Sequence, residues 1–211
     1  MRFSISGHKK PAPAADAPHS ATSAACSPLT YVRVGAPRIA RDLGRRQVTF
    51  RYDRVFVPSL VLDHTEFMLR QRGTAGEEGF GVWTGTLAGG DAFVSTLVIP
   101  RIDEASRFHG NISNETTGAV LDELDLLDLV PLVQIHSHPR DAFLSPVDAQ
   151  RPIVAVKGFL SVVIPSFGFI DIADVRLWRA YEFRSRENWL ELDEAERVRR
   201  LIVDPSLLRV E

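Results

Sequence analysis

The sequence predicts an α+β (mixed α/β) fold, a sheet with helices packed on it. Three observations carry this. Short apolar runs of strand character are interleaved with longer segments whose apolar residues recur at helical spacing. Two long apolar runs flank Gly89-Gly90-Asp91, a hairpin signal. The composition, 45% hydrophobic and 25% charged over 211 residues, is that of an ordinary globular domain large enough to bury a core.

Taken in order, residues 1–28 are rich in Ala, Pro and Ser. A stretch such as Lys9-Lys10-Pro11-Ala12-Pro13-Ala14-Ala15 buries too little apolar area to offset its ordering entropy, so a disordered tail is expected there and an ordered domain over 29–211. Thr30 to Val34 and Arg46 to Tyr52 read as strands. Pro58-Ser59 opens a helix expected to end near Gly73, with the proline in its first turn. Gly79 to Leu87 and Ala92 to Ile99 form the hairpin. Leucines at 121, 124, 127 and 129 among acidic residues predict an amphipathic helix over 117–129. Leu132-Val133-Gln134-Ile135-His136 reads as a buried strand, Leu160 to Ile164 and Val175 to Phe183 as two more, and Leu192 to Val203 as a terminal helix.

Charge and cysteine content narrow the function. A net charge of −2 with pI near 6.3 leaves no dense basic face, so no nucleic-acid partner is expected. No run approaches the ~18 apolar residues of a membrane span. Met1-Arg2-Phe3-Ser4-Ile5-Ser6 lacks the apolar core of a signal peptide. A single cysteine, Cys26, excludes an intramolecular disulfide framework and a Cys-rich zinc site, and has no local His or Asn that would make it a thiol nucleophile. A reducing, cytoplasmic setting is the expectation.

The chemistry concentrates in His136-Ser137-His138-Pro139 and Ser145-Pro146-Val147-Asp148. Strand period is two, so His136 and His138 point to one side and can chelate one metal. Pro139 cannot donate to the ladder and should end the strand there. Ser145 reads as a helix N-cap and Pro146 as the first helical residue, placing Asp148 in the first turn as a third ligand. Two histidines and one carboxylate with an open position is a catalytic zinc pattern; more open positions would suit iron. Alone, Ser-x-x-Asp is a helix cap and His-x-His is often incidental. The combination at this spacing is much more specific.

At this point the sequence resembles the JAMM (MPN-domain) metalloproteases, which carry a glutamate, then His-x-His-Pro, a short loop, and Ser-x-x-Asp. Here the loop is Arg140-Asp141-Ala142-Phe143-Leu144, five residues where many relatives have six or seven. Glu78-Gly79-Phe80-Gly81-Val82-Trp83-Thr84-Gly85 matches the family's glutamate-glycine pattern, with Glu77 out of register. The resemblance covers roughly residues 50 to 185. It implies a mixed sheet between helices, like that of the cytidine deaminases. It also implies one Zn²⁺ per chain on His136, His138 and Asp148, with Glu78 as general base and Ser145 as oxyanion donor. The implied activity is hydrolysis after the C-terminal tail of a ubiquitin-like protein, free or conjugated. Bacterial relatives accompany ubiquitin-like conjugation systems, including antiphage operons, so operon-encoded activating and conjugating enzymes are implied partners.

Two other readings compete. Some MPN domains are metal-free scaffolds, against which all five catalytic positions stand. RadC-like domains share both motifs, but that group has Asn between the histidines and Gly-x-x-x-Pro before the serine, where this chain has Ser137 and Phe143-Leu144. A small-molecule deaminase is disfavoured, because no Pro-Cys-x-x-Cys element is present. Outside the motif, His109 is a weaker cleft candidate, His64 is expected to be structural or exposed, and Trp83, Trp178 and Trp189 are read as packing residues.

Overall fold

A computed structural model of the chain describes residues 29–33, 50, 52–100, 104–106, 109–111 and 114–204. The expected tail over 1–28, with His8, His19 and Cys26, lies outside them.

The centre of the molecule is the hairpin of β3 (Phe80–Ala88) and β4 (Asp91–Pro100). Gly89 and Gly90 join them with φ of 60° and 85°, the two-residue, doubly left-handed turn that suits strand twist and that glycine adopts without strain. On the far side of β3 lies β7 (Val130–Ser137), antiparallel. It is followed outward by β8 (Leu160–Ile164), parallel to β7, then β9 (Arg179–Ser185) and β10 (Asn188–Glu191), both antiparallel to their neighbours. The other edge of β4 is shared. β1 (Leu29–Arg33) pairs antiparallel with its C-terminal half. β2 (Val55–Pro58) pairs parallel with its start, and β11 (Leu201–Asp204) pairs parallel with β2. The result is one nine-stranded mixed sheet. A separate two-stranded ribbon, β5 (Glu104–Ser106) with β6 (His109–Asn111), follows β4. The α+β class is as the sequence predicts.

Four helices accompany the sheet: α1 (Ser59–Thr74), α2 (Asn114–Leu126), α3 (Pro146–Gln150) and α4 (Glu194–Arg200). Helix α1 buries Val61, Leu62, Thr65, Met68 and Leu69, positions i, i+1, i+4, i+7 and i+8 that form one stripe of a helix lying on a sheet. Its Thr65 hydroxyl accepts from the Trp83 indole at 2.9 Å, which satisfies the one polar atom of a fully buried ring. Helix α2 contributes Val120 and Leu124 to the same core. Among the described residues no helix is long and apolar enough to cross a membrane.

Several expected elements are displaced. Pro58 is the N-cap of α1, not part of its first turn. Phe50 and Tyr52, read as strand, are buried but unpaired coil, where the Tyr52 hydroxyl donates to the Leu132 carbonyl at 2.5 Å; residues 46–49 and 51 lie outside the described set. The acidic amphipathic helix runs 114–126, not 117–129, because Leu129 turns into the core ahead of β7. Val175–Leu177 is a 3-10 turn, not strand, because the Asp174 side chain caps the Arg176 amide. The terminal helix stops at Arg200. Leu201-Ile202-Val203 is an unbroken apolar run rich in β-branched residues, and it gains more as a parallel strand on β2 than as a helix turn.

One glycine is fixed by close approach. At a bulge in β3, a β-carbon on Gly85 would stand 1.9 Å from the carbonyl oxygen of Phe93 and 2.9 Å from its carbon, both backbone atoms of the paired strand. Neither can swing aside. Gly85→Ala is expected to cost about 3 kcal/mol or more, read as a drop in the urea midpoint at unchanged slope.

Candidate metal centre

Strand alternation builds the site. Leading into and along β3, Gly79, Gly81 and Trp83 meet α1: a β-carbon at Gly79 would be 2.8 Å from Leu69, one at Gly81 would be 3.3 Å from Met68, and Trp83 bonds Thr65. Residues 78, 80 and 82 therefore face the other side. In the β3–β7 ladder Phe80 is opposite His136, so His136, and His138 beyond it, share that second side. Ser137 points back toward Gly79, whose amide donates to its hydroxyl at 3.0 Å. The same alternation separates the two candidate glutamates. Glu78 is buried, with Oε1 4.0 Å from His138 Nε2, while Glu77 turns to Arg72 of α1 at 2.9 Å.

β7 ends at Ser137, ahead of Pro139 as expected, but His138 is still tied in: its amide donates to the Ile164 carbonyl at 2.9 Å. Both imidazoles are buried, with ring centroids 5.1 Å apart. Asp148 arrives from α3, and its Oδ2 lies 3.4 Å from Nε2 of each histidine. The three ligand atoms all lie within 4.8 Å of one another. His136 Nε2 is fully buried and makes no hydrogen bond among the described residues. A buried ring nitrogen left unsatisfied is costly unless something else accepts its lone pair. Ligand atoms bound at ~2.0–2.1 Å around a tetrahedral cation stand about 3.3 Å apart, which matches the two His–Asp separations. The trio fits a divalent metal.

Electrostatics separate the two carboxylates. Burial pushes the Glu78 carboxyl up to about 7; the nearby His138 opposes this and the Asp148 charge adds to it. Asp148 is also raised by burial, but the two imidazoles and Ser145 outweigh that and hold it well below the usual carboxylate range. One group is a poised proton acceptor and the other a permanent anion, which is how acid–base and ligand roles are divided in a single site.

Ser145 is the N-cap of α3. Its Oγ accepts from the Asp148 amide at 3.2 Å, and Asp148 Oδ2 accepts from the Ser145 amide at 2.9 Å, a reciprocal capping box. Capping uses a lone pair of the hydroxyl and leaves its proton free to donate. The connecting loop is braced from behind by two consecutive left-handed residues, Ser166 and Phe167, both at φ 52°. Their amides donate to Arg140 and His138 carbonyls at 2.9 and 2.8 Å, and Arg70 of α1 holds the carbonyls of Gly168 and Ile170. Phe143, half exposed in the same loop, sets its ring edge-on to His138 at 4.6 Å.

No family model matches the chain. A "probable metalloprotease" of Sinorhizobium fredii, y4jG, is 29% identical over 150 residues, covering 67% of this chain and 88% of that protein. A solution structure of a protein from Desulfitobacterium hafniense superimposes with a TM-score of 0.50 at 16% identity, over 71% of this chain and 92% of that one. The latter is a likeness of fold.

All five residues singled out in the sequence, Glu78, His136, His138, Ser145 and Asp148, come together here. His64 sits half-buried on α1, and His109 lies in the β5–β6 ribbon. Two neighbours were not anticipated. Gln134 donates to Ser161 Oγ and accepts from the Ile153 amide, each at 3.0 Å, pinning the chain beyond α3 to β7. A lone amide in an otherwise apolar strand was the available signal, since a buried polar group needs partners. Trp189, read as packing, also donates its indole N–H to the Ala149 carbonyl at 3.0 Å. Nothing in its sequence neighbourhood points to α3.

Proposed function

We propose that this chain is a metal-dependent peptidase and, more narrowly, a JAMM-type zinc isopeptidase acting after the C-terminal tail of a ubiquitin-like protein. The observation that carries the reading is the buried His136, His138, Asp148 trio with a high-pKa glutamate 4.0 Å away. The probable metalloprotease that aligns with two thirds of the chain supports it. The His-Ser-His-Pro and Ser-Pro-Val-Asp spacing supports the JAMM assignment, and with it zinc and the substrate class.

When bound, a divalent cation at the trio supplies Lewis acidity, polarising a carbonyl and making water a stronger acid. Glu78 then accepts a proton from the attacking water at its carboxylate. The water oxygen forms the new C–O bond, the C–N bond breaks, and Glu78 passes the proton to the departing amine. The second water proton stays with the new carboxyl group. Ser145, fixed by its cap, donates its hydroxyl proton toward the carbonyl oxygen as negative charge develops there. Phe143 and the turn behind the loop keep His138 oriented and reduce water access to one side of it.

The test is hydrolysis by the zinc-loaded protein of ubiquitin-like proteins fused through their terminal glycine to a reporter. An extended, glycine-ended tail reaches a recessed metal where a folded segment does not, so cleavage is expected after the glycine and lost on its replacement by a bulky residue. Equal cleavage of unrelated unfolded peptides overturns the substrate class and leaves a general metallopeptidase. Zinc binding with no hydrolysis of either overturns the enzyme reading in favour of a scaffold.

A further inference from the structure

The metal trio is assembled from two mechanically different parts. His136 and His138 come from the end of a central strand, bonded to β3 on one side and β8 on the other. Asp148 comes from a helix of five residues, none of them buried. So short a helix does not hold its own place, because isolated helical turns are marginal and this one has no apolar face sunk in the core. Its position is set from outside. Beyond it, Gln134 holds Ile153. Before it, the backbone of Leu144 meets the hydroxyl of the buried Tyr181 on β9. Within it, Trp189 of β10 bonds the helix backbone from another element: its Nε1–H donates to Ala149 O at 3.0 Å. Ala149 is the residue after Asp148. The Trp189 ring is itself fixed, packed edge-on against its cross-strand partner Phe183 with centroids 5.1 Å apart.

We infer that Trp189 is a positioning residue for the metal, holding Asp148 at chelating distance from the histidines through the Ala149 carbonyl. The inference rests on the reading of His136, His138 and Asp148 as a metal site. The indole is an outer support of a carboxylate ligand, acting through one backbone bond. Groups that bond a metal ligand directly orient it, and their loss typically weakens binding by 10–100-fold; a support one residue removed is expected at the lower end of that range. The β9–β10 hairpin, at the edge of the described sheet and far from the motif in sequence, thereby becomes part of the metal centre.

The clean variant is Trp189→Phe, which keeps an aromatic ring against Phe183 and removes the donor. A site-specific benzothienylalanine at 189, which keeps the bicyclic shape and lacks the N–H, serves as the second. Zinc affinity is measured on the full chain by competition with a colorimetric chelator, alongside thermal unfolding of the metal-stripped protein. The expected result is a dissociation constant raised about tenfold or more in both variants, with little change in the unfolding temperature of the metal-stripped protein, and no further weakening when Trp189→Phe is added to Asp148→Ala. A dissociation constant within about twofold of wild type, or equal weakening with and without Asp148, overturns the inference. If Asp148→Ala alone leaves zinc affinity unchanged, the metal-site reading itself has failed, and that result is distinguishable from a failure confined to Trp189.

Discussion

His136→Ala/His138→Ala is expected to take the purified protein from about one zinc per chain to near none, because two of the three ligands are lost and a lone carboxylate binds zinc weakly. Elemental analysis after desalting reads this directly. The same variant separates metal stabilisation from packing. A ligand that binds only the folded state at a thousand times its dissociation constant adds about 4 kcal/mol, so added zinc should raise the unfolding temperature of the wild type by several degrees and leave that of the variant unmoved. The imidazoles are buried and each lies 3.4 Å from Asp148, so their removal costs the metal-stripped fold both a cavity and the contacts that hold that carboxylate, and it is the zinc-dependent shift rather than the absolute unfolding temperature that reads metal binding. Full zinc occupancy in the double variant would show that the ion sits elsewhere and remove the basis of the proposed chemistry.

The site was legible in the sequence to the extent that backbone geometry is local. His136 and His138 share a side because strands alternate, and Asp148 caps α3 because Ser145 and Pro146 set up its first turn. The choice of Glu78 over Glu77 followed from the Glu-x-x-Gly register of the family the sequence resembles; in the structure Glu78 lies beside His138 while Glu77 pairs with Arg72. Gly79 and Gly81 let α1 lie close on one side of β3, which sends the even-numbered residues to the other side and turns Glu77 back toward Arg72. What could not be read is whatever depends on two distant segments meeting. The Trp189–Ala149 bond spans forty residues and crosses from an edge strand to a short helix, so neither end carries a local signature. The left-handed pair Ser166–Phe167 is equally silent. Neither residue favours positive φ, and the conformation is held by the carbonyls of His138 and Arg140 together with α1, all remote in sequence.

The secondary-structure misreadings have the same origin. Leu192 to Val203 has helical spacing at its start, where Asp193 caps α4 through the Glu196 amide. The three apolar residues after Arg200 follow β2 instead, a strand nearly 150 residues earlier in the chain. Arg200 marks the switch. It is buried, paired with Glu182 of β9 at 2.6 Å and bonded to the Tyr52 carbonyl, and its place at the end of α4 fixes where the helix must give way to β11. A charged residue at that position reads in sequence as a solvated helix end; only the sheet around it shows that it is a joint.

Glu78→Gln is expected to keep zinc and fold while losing hydrolysis by ~10²–10⁴-fold, because a neutral amide fills the same space next to His138 and accepts no proton from water. Single-turnover cleavage with zinc content measured on the same sample checks both halves. The substitution also has a signature that needs no substrate. The Glu78 carboxyl of the metal-stripped protein is raised to about 7 by burial, so the fold favours its neutral form. A raised folded-state pKa contributes stability that is complete below the ordinary carboxylate range and is lost as pH rises through about 7. Glu78→Gln cannot ionise, so relative to wild type it should gain stability between pH 5 and pH 8, by about 3 kcal/mol at most, in metal-stripped protein. A cation 2+ beside the carboxylate favours its ionised form, so in zinc-loaded protein that pH-dependent difference should shrink or vanish. A Glu78→Gln protein that hydrolyses at the wild-type rate while Glu77→Gln is inactive would place the proton acceptor one residue earlier, in the link between α1 and β3, and would require Glu77 to leave Arg72 to do it.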